Sequence, residues 1–424
     1  MANASARHFV TGRRESSTHH CVVLQRRSRV RILMVNSHAA SGGAARMALT
    51  LVRALNALGQ EADLYHCGDA VKAPPLYGMR RLGSRQMNAV LARCGSSLAV
   101  RDMGVARDIG RVAESADVVH LHNLHGYYLD WDRLLHAVGE RPLIWTWHDM
   151  WAVTGRCASS QGCEGWRGGC DPCPRLELYP AAWFDHAASE YARKSEWLAR
   201  LSRLLIVTPS QWLRNMAIER GLAAERIVQV PNPVDVSDFQ PTPMFRARQH
   251  FRLPVEERLL LFVAADCNNP QKGYHSFLRT LDQTGWRGLV AGGMPQDIPS
   301  NVTYLGSFAD ARTLSLCYSA ADALAVPSSF DNAPNTVIES MACGTPVFGF
   351  ATGGIPSLMH PDCGGVVPVG DVKALAALLQ CQLSTRGKTN TTVSRIREHA
   401  VQHWGSESVA NRYIELYGRV RACD

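Results

Sequence analysis

Apolar residues along this chain gather in short runs, each followed by a turn and then by a stretch of helical spacing. Arg31-Ile-Leu-Met-Val-Asn36 is one such run, apolar throughout and closed by a polar turn, which predicts a buried parallel strand. Ser41-Gly42-Gly43 follows, then a helical pattern from Ala44 to Leu58 with Gly59 as its stop. Ala62–His66 supplies the next strand. A strand, a Gly-rich turn and a helix open a doubly wound sheet. Further strands are expected at Val118–Leu121, Leu143–Trp147 and Leu204–Thr208, the last leading to Ser210 as cap of a helix over Trp212–Arg220.

After Val228-Gln-Val230 the turn-rich Pro231-Asn-Pro-Val-Asp235 reads as a linker over 231–240, and the pattern restarts. Leu259–Ala265, Gly288–Ala291, Val302–Leu305, Ala323–Val326 and Thr345–Phe350 are expected strands, with a helix from Gly273 to Leu281. The predicted class is α/β, two parallel sheets facing a cleft, with ligands at the carboxyl ends of the strands. The divisions are a basic tail over 1–28, a first domain over 29–230, a second over 241–400, and a terminal helical segment over 401–424. In that last segment Val409, Tyr413, Leu416 and Tyr417 share one face.

Composition narrows the reading. A length of 424 residues suits two domains, and 46% hydrophobic with 19% charged residues is globular. No apolar run reaches the roughly 20 residues that span a bilayer. The first 28 residues are Arg-rich, with Glu15 the only acid, and carry no continuous apolar core of a secretory signal. They read as a disordered tail, with a transit peptide the alternative. The net charge of +8 resides partly in that tail and partly between Lys72 and Arg111. There Leu82, Met87, Val90 and Leu91 interleave with arginines, which suits either an anionic lipid surface or a solvated helix face.

The segment richest in chemistry is Pro327-Ser-Ser-Phe-Asp331-Asn-Ala-Pro-Asn335-Thr-Val-Ile-Glu339-Ser-Met-Ala-Cys-Gly344-Thr-Pro346. It reads as a polar loop, a short helix from about Thr336, and a Gly stop. The helix N-terminus is a natural seat for a diphosphate. Asp331 and Glu339 could both accept hydrogen bonds from a sugar ligand; equally, Thr336 and Glu339 could form a capping box that needs no ligand.

This segment resembles the donor-binding signature of glycosyltransferase family 4, retaining enzymes with the GT-B fold of two facing Rossmann-like domains. The resemblance runs over about residues 30–420. It implies that Glu339 binds the nucleotide ribose and Asp331 faces the donor sugar, although an aspartate stands where glutamate is commoner. It implies further that Gly42 and Gly43 approach the donor phosphate and the acceptor and that Lys272 neutralises the leaving group, while Asn335 and Thr336 open the helix whose N-terminus would seat the diphosphate. An arginine usual six residues before that lysine is replaced by Asp266. Charge stabilisation must then lean on Lys272, the helix end or an unidentified arginine. His148, in Trp145-Thr-Trp-His148-Asp149, would orient the donor sugar rather than act as general base.

Of the thirteen cysteines, Cys157, Cys163, Cys170 and Cys173 cluster in a Gly-rich insertion over 151–180. Their spacing suits a closed, structural zinc site, with free or redox-active thiols and disulfides as alternatives. No catalytic cofactor is expected. The Thr154-Gly-Arg-Cys157…Cys170-x-x-Cys173-Pro stretch is similar to one in the colanic-acid-type exopolysaccharide glycosyltransferases of family 4. That resemblance implies a UDP- or GDP-sugar donor and a lipid-linked saccharide acceptor at the cytoplasmic face of the membrane. A nucleotide-sugar epimerase or hydrolase of the same fold is one alternative. The other is a zinc-stabilised nucleic-acid-binding protein, which the position of the basic tail outside both sheets disfavours.

Overall fold

The computed structural model describes residues 29–39, 42–66, 76–78, 85–96, 100, 104–385 and 388–422. The tail over 1–28, Ser41 and much of the basic stretch between Lys72 and Arg111 lie outside these residues.

The described strands form two sheets. The first holds β1 (Arg31–Asn36), β2 (Glu61–His66), β3 (Leu76–Gly78), β4 (Val118–Leu121), β5 (Leu143–Thr146), β6 (Leu204–Thr208) and β7 (Ile227–Gln229). The second holds β8 (Leu259–Ala264), β9 (Arg287–Gly292), β10 (Val302–Gly306), β11 (Ala323–Val326), β12 (Val347–Phe350) and β13 (Gly364–Val367). Their orders are β3-β2-β1-β4-β5-β6-β7 and β10-β9-β8-β11-β12-β13, and every pairing is parallel. Strands such as β4, β5, β11 and β12 are buried at every residue, because helices cover both faces; this is why they read as unbroken apolar runs.

The strand order reverses between β1 and β4 in the first sheet and between β8 and β11 in the second. At such switch points the loops after neighbouring strands diverge and leave a crevice. The Gly42-Gly43 turn follows β1, and the Lys272 loop follows β8. Both halves of the expected site therefore arise from the same topological feature.

The chain crosses between the sheets twice. Val234, in the turn-rich linker, donates its N–H to the Trp404 carbonyl and accepts from the N–H of Ser406, so outgoing and returning segments lie side by side. Two helices meet here, Asn390–Trp404 and Ser406–Ala422, where the sequence pattern suggested one terminal element from residue 401. Gly405 separates them. The first packs Ile396, Ala400 and Trp404 into the core of the second sheet. The second buries Val409, Tyr413, Leu416 and Tyr417 against Met47, Leu51, Ile144 and Val207 of the first sheet's core. The helix Ser406–Ala422 thus packs on the first domain.

Candidate active site

A cavity of about 240 Å³ lies between the two sheets. From the first domain Gly43, Arg46 and His148 reach it; from the second come Lys272, Asp331, Asn335 and Thr336. Gly42 adjoins as N-cap of the helix Gly43–Ala57, at φ 89° and ψ 166°, a conformation that glycine adopts without penalty.

On the second-domain side the helix Asn335–Ala342 starts at Pro334, and no side chain caps it. The capping box, the alternative reading of Thr336 and Glu339, does not form. Glu339 instead accepts a hydrogen bond from the Tyr318 hydroxyl at 2.8 Å and lies 3.8 Å from the Arg46 guanidinium. Burial raises the Glu339 carboxyl above its ordinary range, opposed by Arg46 and the Tyr318 hydrogen bond. With its first turn uncapped, the helix keeps N–H groups and its positive end available to an anion.

Lys272 and Asp331 form an ion pair at 2.7 Å. Lys272 closes a short 3-10 turn, Pro270–Lys272, capped by the Asn269 side chain. Gly273 next to it has φ 77°, and a Cβ there would sit 1.9 Å from the Pro327 carbonyl oxygen. Only glycine lets the lysine turn lie against the loop that carries Asp331. Asp266 is exposed, and its carboxylate accepts the Asn268 N–H. It serves a local turn.

On the first-domain side His148 follows β5. Its Nε2 lies 3.1 Å from Nδ1 of His122, and the two rings stack. Burial pushes His148 down to about 4, with Asp149 raising and His125 lowering it, so the imidazole is neutral near pH 7. His120 is lowered to about 3 by burial and by His148. It bonds Tyr417 and Thr146, both at 2.8 Å. Asp149, adjacent in sequence to His148, pairs instead with His125 at 2.7 Å. Burial alone would raise Asp149, but His125 and the Trp151 N–H bring it below its usual range.

Three asparagines join the domains. Asn332 accepts from the Ser210 hydroxyl at 2.6 Å and donates to the His148 carbonyl at 2.9 Å. Asn335 donates to the Gly43 carbonyl at 3.2 Å and accepts from Asn232 of the linker at 2.9 Å. Sequence reading missed Arg46, His122, Tyr318 and the bridging role of Asn332. Arg46 lay one helical turn beyond Gly43, a spacing that could have flagged it; Tyr318 and His122 offered no local signal, since their partners are remote in sequence.

The four clustered cysteines line one apolar cavity of about 20 Å³. Backbone N–H groups of Gly155 and Gly165 point at the sulfurs of Cys170 and Cys163, at 3.1 and 3.4 Å. Burial raises the Cys157 thiol to about 11 and lifts Cys170 and Cys173 also. Among the described residues, no three His, Cys, Asp or Glu side chains are arranged to hold a metal ion. The thiols are therefore together but not in coordination geometry. The insertion is clamped from beneath, where buried Lys194 donates to the Trp151 and Thr154 carbonyls and buried Arg156 to that of Pro180. Ser159 of the insertion accepts a hydrogen bond from Gln271, next to Lys272, so the loop borders the cavity's edge.

Two parallel α/β domains with a polar cavity at their junction make up the GT-B architecture. The Glycosyltransferase Family 4 profile matches residues 41–238, and the Glycosyl transferases group 1 profile matches 257–384. The chain belongs to the family-4-type glycosyltransferases, as a hexosyltransferase. It is 26% identical to the colanic acid biosynthesis glycosyl transferase WcaC of Escherichia coli (strain K12), over 71% of this chain and 76% of that one. It is 29% identical to the D-inositol 3-phosphate glycosyltransferase of Mycobacterium tuberculosis (strain F11), over 51% of this chain and 48% of that one. Sucrose-phosphate synthase from Thermosynechococcus elongatus superposes with a TM-score of 0.70 at 19% identity, covering 93% of this chain and all of that one. HepE of Anabaena, solved in complex with UDP-glucose, superposes with a TM-score of 0.64 at 16% identity, covering 92% of this chain and all of that one.

Proposed function

We propose that the protein is a retaining transferase that moves a hexose from a UDP- or GDP-sugar to a lipid-linked saccharide, in the assembly of a surface polysaccharide. The observation that carries the donor half is the cavity between the domains, where an uncapped helix end and Lys272 converge with Asp331. In this reading the diphosphate sits on the first turn of Asn335–Ala342, with Lys272 neutralising the leaving charge. Glu339 accepts from the ribose, Asp331 and His148 orient the sugar, and Gly42-Gly43 let the backbone approach. A neutral imidazole with a pKa of about 4 is a weak base at pH 7, which favours orientation over proton abstraction for His148. The likeness to HepE with UDP-glucose and to WcaC supports the donor and polysaccharide readings.

The acceptor half rests on the surface. The helix Arg85–Cys94 exposes Met87, Val90 and Leu91 on one face, and its Arg93 carbonyl accepts the N–H of Trp183, whose side chain is exposed beside that of Phe184. Apolar side chains flanked by arginine suit the headgroup region of an anionic membrane. No described helix is long and apolar enough to cross a bilayer. A cytoplasmic protein, peripheral on the inner membrane face, fits this surface.

The test is calorimetric titration of wild type and Glu339→Ala with UDP- and GDP-sugars, followed by product analysis with and without membrane-extracted acceptor. Saturable binding of one donor, lost in the variant, with sugar transfer only when acceptor is present, is the expected result. Donor epimerisation or hydrolysis without acceptor at the full rate would favour the alternative enzyme class.

A structural zinc in the insertion is a separate proposal, supported by the four thiols around one cavity and their N–H···S contacts. About one zinc per chain, lost in Cys170→Ala, is expected by elemental analysis; metal-free protein from zinc-supplemented culture would overturn it.

A further inference from the structure

We infer that Arg46 is the second cation for the donor diphosphate, supplied by the first domain, and that it leaves Glu339 when the donor arrives. This inference rests on the nucleotide-sugar reading above.

The cavity carries two cationic side chains among its lining residues, Arg46 and Lys272, one from each domain. Each stands on one carboxylate of the Asp331/Glu339 pair: Lys272 on Asp331 at 2.7 Å, Arg46 on Glu339 at 3.8 Å. The two contacts differ in kind. At 2.7 Å Lys272 is hydrogen-bonded, whereas 3.8 Å is beyond hydrogen-bond reach. Arg46 is 48% exposed, so its guanidinium can turn toward a nearer anion at little cost.

Local structure delivers it to the right place. Arg46 lies in the first turn of Gly43–Ala57, its N–H bonded to the Gly42 carbonyl. The Gly43 carbonyl is in turn held by Asn335, the first residue of the helix whose uncapped end forms the anion seat. The guanidinium therefore starts one helical turn from the point where the domains touch over that seat. A planar guanidinium binds phosphate through two parallel N–H bonds, which Lys272 as a point charge cannot do. Asp266, exposed and spent on its own turn, offers no such donor.

The exchange also frees a ligand group. With Arg46 moved to phosphate, one Glu339 oxygen opens to a ribose hydroxyl while the other keeps the Tyr318 bond. Arg46 is thus a place-holder on Glu339 without donor and a phosphate ligand with it. The diphosphate is gripped from both domains at once.

The test is calorimetric titration with UDP, GDP, uridine and guanosine, against wild type, Arg46→Ala, Arg46→Gln and Arg46→Lys. Arg46→Ala and Arg46→Gln should weaken binding of the preferred diphosphate by about 10- to 100-fold, as expected for losing a charge-assisted bond. Their binding of the matching nucleoside, which has no phosphate, should be no weaker than that of wild type, because Glu339 is then open to the ribose, and this also certifies folding. Arg46→Lys should fall between. In the Arg46→Ala background, Asp266→Arg should recover part of the loss by placing a cation next to Ala265, which lines the cavity. Diphosphate affinity in Arg46→Ala within twofold of wild type would overturn the inference while leaving the donor reading intact. Failure of folded wild type to bind UDP or GDP would overturn both.

Discussion

His122 holds His148 through one nitrogen-to-nitrogen contact of 3.1 Å, with the rings stacked 5.4 Å apart. Only one proton can lie between these nitrogens, so the tautomer of His122 sets that of His148. His122 is buried, and burial together with His120 and His148 lowers it well below the ordinary histidine range. His148 therefore faces the cavity as a neutral ring of defined orientation. Replacing His122 with Phe should leave the fold intact but lower kcat by about tenfold, an orientation effect. His122→Asn, which keeps a side-chain donor, should recover part of it. Equal kcat in all three proteins would rule out this positioning role.

Acid should draw stability from the buried histidines as pH falls below about 6.5. His120 and His148 have folded pKa values of about 3 and 4, below the unfolded value of 6.5. Between those limits the unfolded chain binds more protons, so stability is full above pH 6.5 and is lost as pH falls. Each such histidine contributes a slope of about 1.4 kcal/mol per pH unit in that window. Urea midpoints measured from pH 7 to pH 4.5 should show the decline, and His120→Gln should make it shallower by about one proton. An unchanged slope in the variant would sink the assignment.

Asn332 ties the two domains together where Asp331 enters the cavity, accepting from Ser210 and donating to the His148 carbonyl. Asn332→Ala strips both partners at a buried site, and each unsatisfied group costs about 1–3 kcal/mol. A lower melting temperature together with a raised donor KM is expected. A lower melting temperature with unchanged KM would assign Asn332 to stability alone.

Gly273→Ala should disrupt the lysine turn. The residue sits at φ 77°, and its new Cβ would overlap the Pro327 carbonyl at 1.9 Å. Left-handed backbone alone costs a substituted residue about 1–2 kcal/mol, and the clash adds to it. Donor affinity should fall along with stability, because Lys272 and the Asp331 loop are displaced together. Wild-type affinity in a thermal-shift titration would show that the loop tolerates the side chain.

Much was determined locally. Strand runs such as Arg31–Asn36 and Ala323–Val326 and the helix after Gly43 follow from apolar periodicity and glycine placement, because burial on both faces of a parallel sheet leaves an unbroken apolar signature. Lys272 and Asp331 were singled out by the resemblance of their segments to the family-4 pattern and Asn335 by the start of a short helix, and the fold brings all three to one cavity. Other features depended on residues far apart in the chain. Thr336 and Glu339 look like a capping box, yet Tyr318 and Arg46 claim the carboxylate, since a remote hydroxyl and guanidinium in place satisfy it without the helix end. His148 and Asp149 are neighbours in sequence but take different partners, His122 and His125, because consecutive side chains past a strand end point different ways. The helix Ser406–Ala422 showed its apolar face in the sequence, but not the face it covers. Only the fold brought Tyr417 to His120, across 297 residues, because an amphipathic helix specifies that a surface must be buried and leaves the surface to be met to tertiary packing.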